Sequence, residues 1–199
     1  MKLKQYKLIL ISVGLIGALL IASPAISALI SSPQGERFSE LYLLGPERMA
    51  QAYPHNIVPN QNYTVYLDVA NHVGSSAYYL VYIKLLNASD AMANGTSGIA
   101  SSAQPLYEKR CLIQDEHVFE SLLTFSFSNT TVSNKQLTIG TLRLNGEDIN
   151  VNKAAAWNST TQEYQYKLLF ELYTYNSQTH SADFSNRFVF LKLNCSSTA

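Results

Sequence analysis

Residues Tyr63–Leu86, YTVYLDVANHVGSSAYYLVYIKLL, carry the pattern from which the fold of this chain can be read. In the first third, Tyr63, Val65, Leu67 and Val69 fall on one side of an alternation, and Thr64, Tyr66 and Asp68 on the other. A repeat of two residues is that of a strand with one buried face. From Ala77 to Leu86 the same alternation places Tyr79, Val81, Ile83 and Leu85 together. The opposite face of that second strand is also fairly apolar, as expected of a strand in the middle of a sheet. Gly74 and two serines between the two segments have a turn composition, so the pair reads as a hairpin.

Working outward, FSELYLL (Phe38–Leu44) is a further strand, and Gly45-Pro46 ends it. Proline cannot donate to a ladder and pushes the residue before it away from helix. Downstream, strands are predicted over Tyr107–Gln114, Phe119–Ser128, Gln136–Gly146, Tyr164–Tyr175 and Arg187–Asn194. The tract from Asn87 to Gln104 is rich in Gly, Ser, Ala and Asn and reads as an exposed loop or a weak short helix. GEDINVNKAAAWNS, from Gly146 to Ser159, reads as able to hold one helical turn. About eight strands with Gly, Asn and Ser turns and no amphipathic helix predict an all-β fold. The expected architecture is an immunoglobulin-like antiparallel β-sandwich preceded by one N-terminal transmembrane helix.

That helix is expected from the start of the chain. Lys2, Lys4 and Lys7 precede an uncharged run from Leu8 to Ile30. At 1.5 Å per residue such a run makes roughly 34 Å of helix, enough for a hydrocarbon core of about 30 Å. The basic flank predicts a cytoplasmic N-terminus, with the C-terminal domain outside the cell membrane. The reading is therefore residues 1–31 as an anchor in contact with lipid through residues 8–30, residues 32–37 as a linker, and residues 38–199 as the exterior domain. The alternative is a cleaved signal peptide, because SPAISA (Ser23–Ala28) offers small residues after Pro24.

The exterior domain is one ordinary domain in length. Fourteen basic and fourteen acidic residues give zero net charge, and only 14% of the chain is charged. No polyanion-binding surface is advertised by this balance, so no nucleic-acid partner is expected. Acceptor triplets Asn-x-Ser/Thr start at Asn62, Asn87, Asn94, Asn129, Asn158 and Asn194. The composition alone would give about two or three, so N-glycosylation outside the cell is predicted at these six. Cys111 and Cys195 are the two cysteines. In an oxidising exterior an even pair predicts a disulfide, the competing reading being two buried thiols.

Catalytic patterns are missing. His55, His72, His117 and His180 lie in four separate segments, and no Gly-rich phosphate loop or Gly-x-Ser-x-Gly elbow occurs. Asp68 with His72 reads as a solvated pair, and Asp115-Glu116-His117 as a polar turn with too few ligands for a metal. No catalytic residue, metal ligand or cofactor is expected. Trp157 reads as a packed anchor.

The stretch Leu44-Gly45-Pro46, then Tyr53-Pro54, then Val69-Ala70-Asn71-His72, continuing to Asn87, resembles the archaeal membrane-protein family called domain of unknown function 1616. The late EYQYKLLFELY is similar to the family's last strands. The resemblance implies an archaeal source, an exterior sandwich and surface glycosylation, and it brings no activity. Family members often carry several membrane helices, whereas one candidate span is present here. The expected function is non-enzymatic: a membrane-anchored cell-surface glycoprotein contacting other envelope or membrane proteins. The alternative is a secreted filament subunit that self-associates by strand addition.

Overall fold

The computed structural model describes residues 6–7, 11–18 and 36–196. Two units are distinguished, residues 1–37 and residues 38–199. In the first, residues 6–7 and 11–18 are helical. Among the described residues no helix is long and apolar enough to cross a membrane. Most of the span expected over residues 8–30 lies outside the described residues.

The second unit is built from ten strands: β1 (Phe38–Leu44), β2 (Asn56–Ile57), β3 (Tyr63–His72), β4 (Ala77–Asn87), β5 (Tyr107–Ile113), β6 (His117–Ser133), β7 (Gln136–Leu144), β8 (Glu147–Asn158), β9 (Glu163–Asn176) and β10 (Ser181–Cys195). They form a curled, open sheet in the order β1-β3-β6-β7-β8-β9-β10-β2, with β4 and β5 attached beside β9. All neighbours are antiparallel except β10 and β2, which run parallel through Asn194↔Asn56 and Cys195↔Ile57. The sheet turns a corner at β8 and β9, which pair only through Trp157↔Tyr164 and Asn158↔Glu163.

The two arms of the sheet enclose a single apolar core. Val65, Leu67 and Val69 of β3 are fully buried, as the alternation predicts, and so are Ile83 of β4, Phe170 of β9 and Leu137 and Ile139 of β7. Strand β4 has a neighbour along each edge, β5 and β9, and its second face is buried as well, at Leu80, Lys84 and Leu86, with Lys84 bonded to Ser101 of the loop that follows. Gly45 ends β1 for a steric reason: a Cβ there would stand 1.9 Å from the carbonyl oxygen of Gln51. The chain folds back on that glycine, its amide donating to the Met49 carbonyl at 2.7 Å.

Three expectations are corrected. Glu147–Asn158, expected to hold a helical turn, is the twelve-residue strand β8. Its Ala-rich end pairs residue by residue with β7, from Gln136↔Ala156 to Ile139↔Lys153, and this pairing overrides alanine's helix preference. The Asn87–Gln104 tract is a loop, but an anchored one, since Ser101 within it is buried. The disulfide is absent, and Cys111 and Cys195 are both buried free thiols. Register explains this. Cys111 pairs with Tyr79, and Tyr79 with Thr174 of β9. Cys195 follows Asn194, which pairs with Gln165 of the same strand. The thiols are therefore separated by three strand spacings, roughly 14 Å, and by about ten residues along β9, roughly 33 Å. A bridge needs Cα atoms within about 7 Å. Burial pushes the Cys111 thiol up to about 11 and the Cys195 thiol up to about 12.

Candidate functional site

β5 pairs only with β4, and two further strands of the open sheet, β1 and β10, have a long edge without a strand neighbour. β1 pairs only with β3. β10 pairs with β9 along its length, and on its other side only its last two residues meet β2. The two bare edges border one groove of about 610 Å³. Its walls are Tyr42–Leu44 of β1 and Val189–Lys192 of β10, and its rim is Ala50 with Tyr53–His55. Consecutive residues from each strand line it, so backbone as well as side chains face the space. Tyr53 and Phe190 are exposed aromatics at this groove.

Two side chains occupy ladder positions on the β1 edge. The Tyr53 hydroxyl donates to the Leu43 carbonyl at 2.7 Å, and Arg187 Nε donates to the Ser39 carbonyl at 3.2 Å. Backbone groups two residues apart point to the same edge of a strand, so those of Leu41 look the same way. Side chains thus stand in for a missing strand at Leu43 and Ser39.

The far end of the groove is polar. His55 Nδ1 meets the Lys192 carbonyl at 2.9 Å, and Nε2 meets Glu163 Oε1 at 3.1 Å. The Gln165 amide, His55 and Lys192 hold the Glu163 carboxyl below its usual range. The main chain of His55 also accepts from the Asn194 amide at 2.7 Å. Both ring nitrogens of His55 are thus bonded in place, where they close the groove. An apolar trough between two bare strand edges is suited to hold extended polypeptide, whose backbone completes the ladders while alternate side chains enter the trough.

Two buried charged groups lie in the sheet. Asp68 of β3 lies between Tyr42 of β1 and Glu120 of β6 in register. It is 3% exposed, and its Oδ1 has no hydrogen-bond partner. Burial raises its carboxyl to about 6, Glu120 adds to the rise and Arg48 opposes it. Arg48 lies over the Tyr66 ring at 4.8 Å and pairs with Glu120 at 2.9 Å, which docks the turn after β1 onto the sheet. The expected solvated pair of Asp68 with His72 is not formed: His72 bonds Glu116 at 2.8 Å and stacks on Phe38.

The second buried group sits on β4 and β9. Lys84 Nζ meets Glu171 Oε2 at 2.7 Å, with side-chain exposures of 4% and 0%. Both ends also hold the long loop: Lys84 donates to the Ser101 carbonyl at 2.7 Å, and the Ser101 amide donates to Glu171 Oε1 at 2.6 Å. The Tyr173 hydroxyl donates to Glu171 at 3.1 Å. Sequence reading missed this network, although a Lys in so apolar a strand was the available signal.

The four histidines do not converge. His117 meets the Asp115 carbonyl, and His180 the Tyr175 hydroxyl. Among the described residues no three of His, Cys, Asp and Glu gather as metal ligands. The six sequon asparagines are scattered from the loop before β3 to the end of β10. Trp157 packs edge-on against Tyr164 with 4.9 Å between ring centres.

The sequence profile of the domain of unknown function DUF1616 matches residues 32–181. The chain belongs to the DUF1616 family. This family carries no assigned activity in its description, and its match spans the groove-forming β1 and the start of β10. No curated protein matches the chain. Among solved structures, a β-glucosidase from Listeria innocua is similar at 7% identity and a TM-score of 0.37, and its complex with glucose at 8% and 0.35. The alignments cover 80% and 79% of this chain but 16% of each of those chains.

Proposed function

We propose that this DUF1616 domain is a non-enzymatic protein-contact module of the archaeal cell surface, an immunoglobulin-like β-sandwich that receives an extended segment of a partner along the β1–β10 groove. The observation carrying this reading is the pair of bare strand edges, with Tyr53 and Arg187 side chains already bonded to β1 carbonyls. Lys2, Lys4 and Lys7 before an uncharged run support a single membrane span through residues 8–30, cytoplasmic N-terminus and exterior domain. The sequons support glycosylation of that exterior domain.

A photo-crosslinking residue at Phe190 of the full-length chain in its own cells tests the groove, with Leu122, exposed on β6, as the control site. Adducts to protein at Phe190 that are absent at Leu122 are expected. Equal yields at the two sites would remove the groove from the reading. Failure of protease to reach the domain on intact cells would remove the exterior address.

The same groove favours a second reading, a filament subunit in which the inserted segment belongs to another copy. In that case the Phe190 adduct has twice the mass of the chain.

A further inference from the structure

Resting on the exterior address just proposed, the amide chemistry of the six sequons divides them. We infer that sugar is carried at Asn62, Asn94 and Asn158, and that Asn87, Asn129 and Asn194 stay bare. N-linked transfer uses the side-chain amide nitrogen as nucleophile. Its lone pair attacks the anomeric carbon of a lipid-linked glycosyl phosphate, the N–C bond forms, the C–O bond to phosphate breaks with its electron pair, and one amide proton is released. An Nδ2 already donating to a neighbouring group must first give up that bond and turn outward.

Three sequons have Nδ2 committed in this way. Asn87 Nδ2 donates to the Ala154 carbonyl at 2.8 Å and ties β4 to β8. Its Oδ1 meanwhile accepts from the Ser89 amide and hydroxyl and the Asp90 amide, which also occupies the hydroxyl of the same sequon. Asn129 Nδ2 donates to Thr141 Oγ1 at 2.9 Å from within β6, paired to β7 on both sides of it. Asn194 Nδ2 donates to Asn56 Oδ1 at 3.1 Å across the β2–β10 pair, and the sequon's Ser196 hydroxyl donates to the Ile57 carbonyl. The other three differ. Asn94 and Asn158 use Oδ1 to accept the amides of Thr96 and Ser97, and of Thr160 and Thr161. No acceptor is assigned to either Nδ2 among the described residues. Asn62 is exposed on the loop before β3, also with no Nδ2 acceptor among the described residues. In these three the amide nitrogen reaches the reagent without breaking a contact.

The test is mass mapping of intact glycopeptides from the full-length chain isolated from its own membranes. Glycan at Asn62, Asn94 and Asn158 with the other three bare is expected. Comparable occupancy at Asn87, Asn129 or Asn194, or a bare Asn94, overturns the division while leaving the exterior address standing. A chain without sugar at any of the six overturns the division, and the support that the sequons lend to the exterior address goes with it. As a second readout, Thr64→Ala, Thr96→Ala and Thr160→Ala should each remove one glycan from the intact mass. Ser89→Ala, Thr131→Ala and Ser196→Ala should leave that mass changed only by the substitution, and loss of a glycan in any of them refutes the assignment.

Discussion

Lys84→Met isolates the energetics of the buried ion pair. The substitution keeps the aliphatic stem and leaves Glu171 fully buried without its cation. Breaking one partner of a buried pair costs about 3–5 kcal/mol. Glu171 keeps two donors, the Ser101 amide and the Tyr173 hydroxyl, so the lower end applies, about 3 kcal/mol. For a domain of this size that lowers the melting temperature by about 6–12 °C. The Ser101 carbonyl also loses its donor, so the loop after β4 loosens with it. Replacing both partners, Lys84→Met with Glu171→Leu, removes the stranded charge and leaves the two Ser101 backbone groups and the Tyr173 hydroxyl to be resatisfied. That double variant should lie about 1–2 kcal/mol below the parent, hence above the single variant. Denaturant unfolding of the three proteins, with amide exchange at Ser101, checks this. A Lys84→Met loss under about 1 kcal/mol, or a double variant weaker than the single one, would refute the argument that an uncompensated buried charge sets the cost.

The remaining expectations are smaller. With its carboxyl raised to about 6, Asp68 holds a proton in the folded chain that the unfolded chain releases above about 4. Its contribution to stability therefore falls as pH rises through about 4 to 6, and Asp68→Asn should flatten that slope in melting curves from pH 4 to 8 and stabilise the domain at neutral pH. Gly45→Ala places a Cβ against the Gln51 carbonyl and should cost about 3 kcal/mol or displace the turn, read from the unfolding midpoint. Tyr53→Phe removes one hydrogen bond to Leu43 and should cost about 1 kcal/mol. It should also raise crosslinking from Phe190, because one capped position of the β1 edge is freed. Cys111 and Cys195 should resist alkylation in the native chain and take up two labels on unfolding without reductant, as measured by intact mass.

Much of the strand layout is legible in the sequence because period two survives wherever one face is buried. Val65, Leu67 and Val69 announce β3, and the double apolar character of Ala77–Leu86 announces its central place. β8 is illegible for a local reason: Ala154–Ala156 has no large side chain to show a period, and only pairing with β7 makes it extended. β2 has two residues, too few for any pattern. The groove is illegible for a different reason. Whether an edge is bare depends on which strands become neighbours, and Leu43 and Phe190 lie far apart in sequence. The disulfide expectation failed on the same ground, since cysteine number carries no information about register. Asp68 was placed on the solvent side by its parity, but the turn carrying Arg48 folds over that face and buries it.

The parallel pairing of β2 with β10 has a consequence in time. It joins Asn56 to Asn194, almost the whole length of the domain, and β10 is the last described strand to leave the ribosome. Contacts of such long range form late, because the loop they close must be ordered first. One wall of the groove is therefore missing while the chain is still being made. During that interval β1 has no opposing wall, so any segment that is to lie beside it meets an open edge, and the arrival of β10 closes over whatever is there.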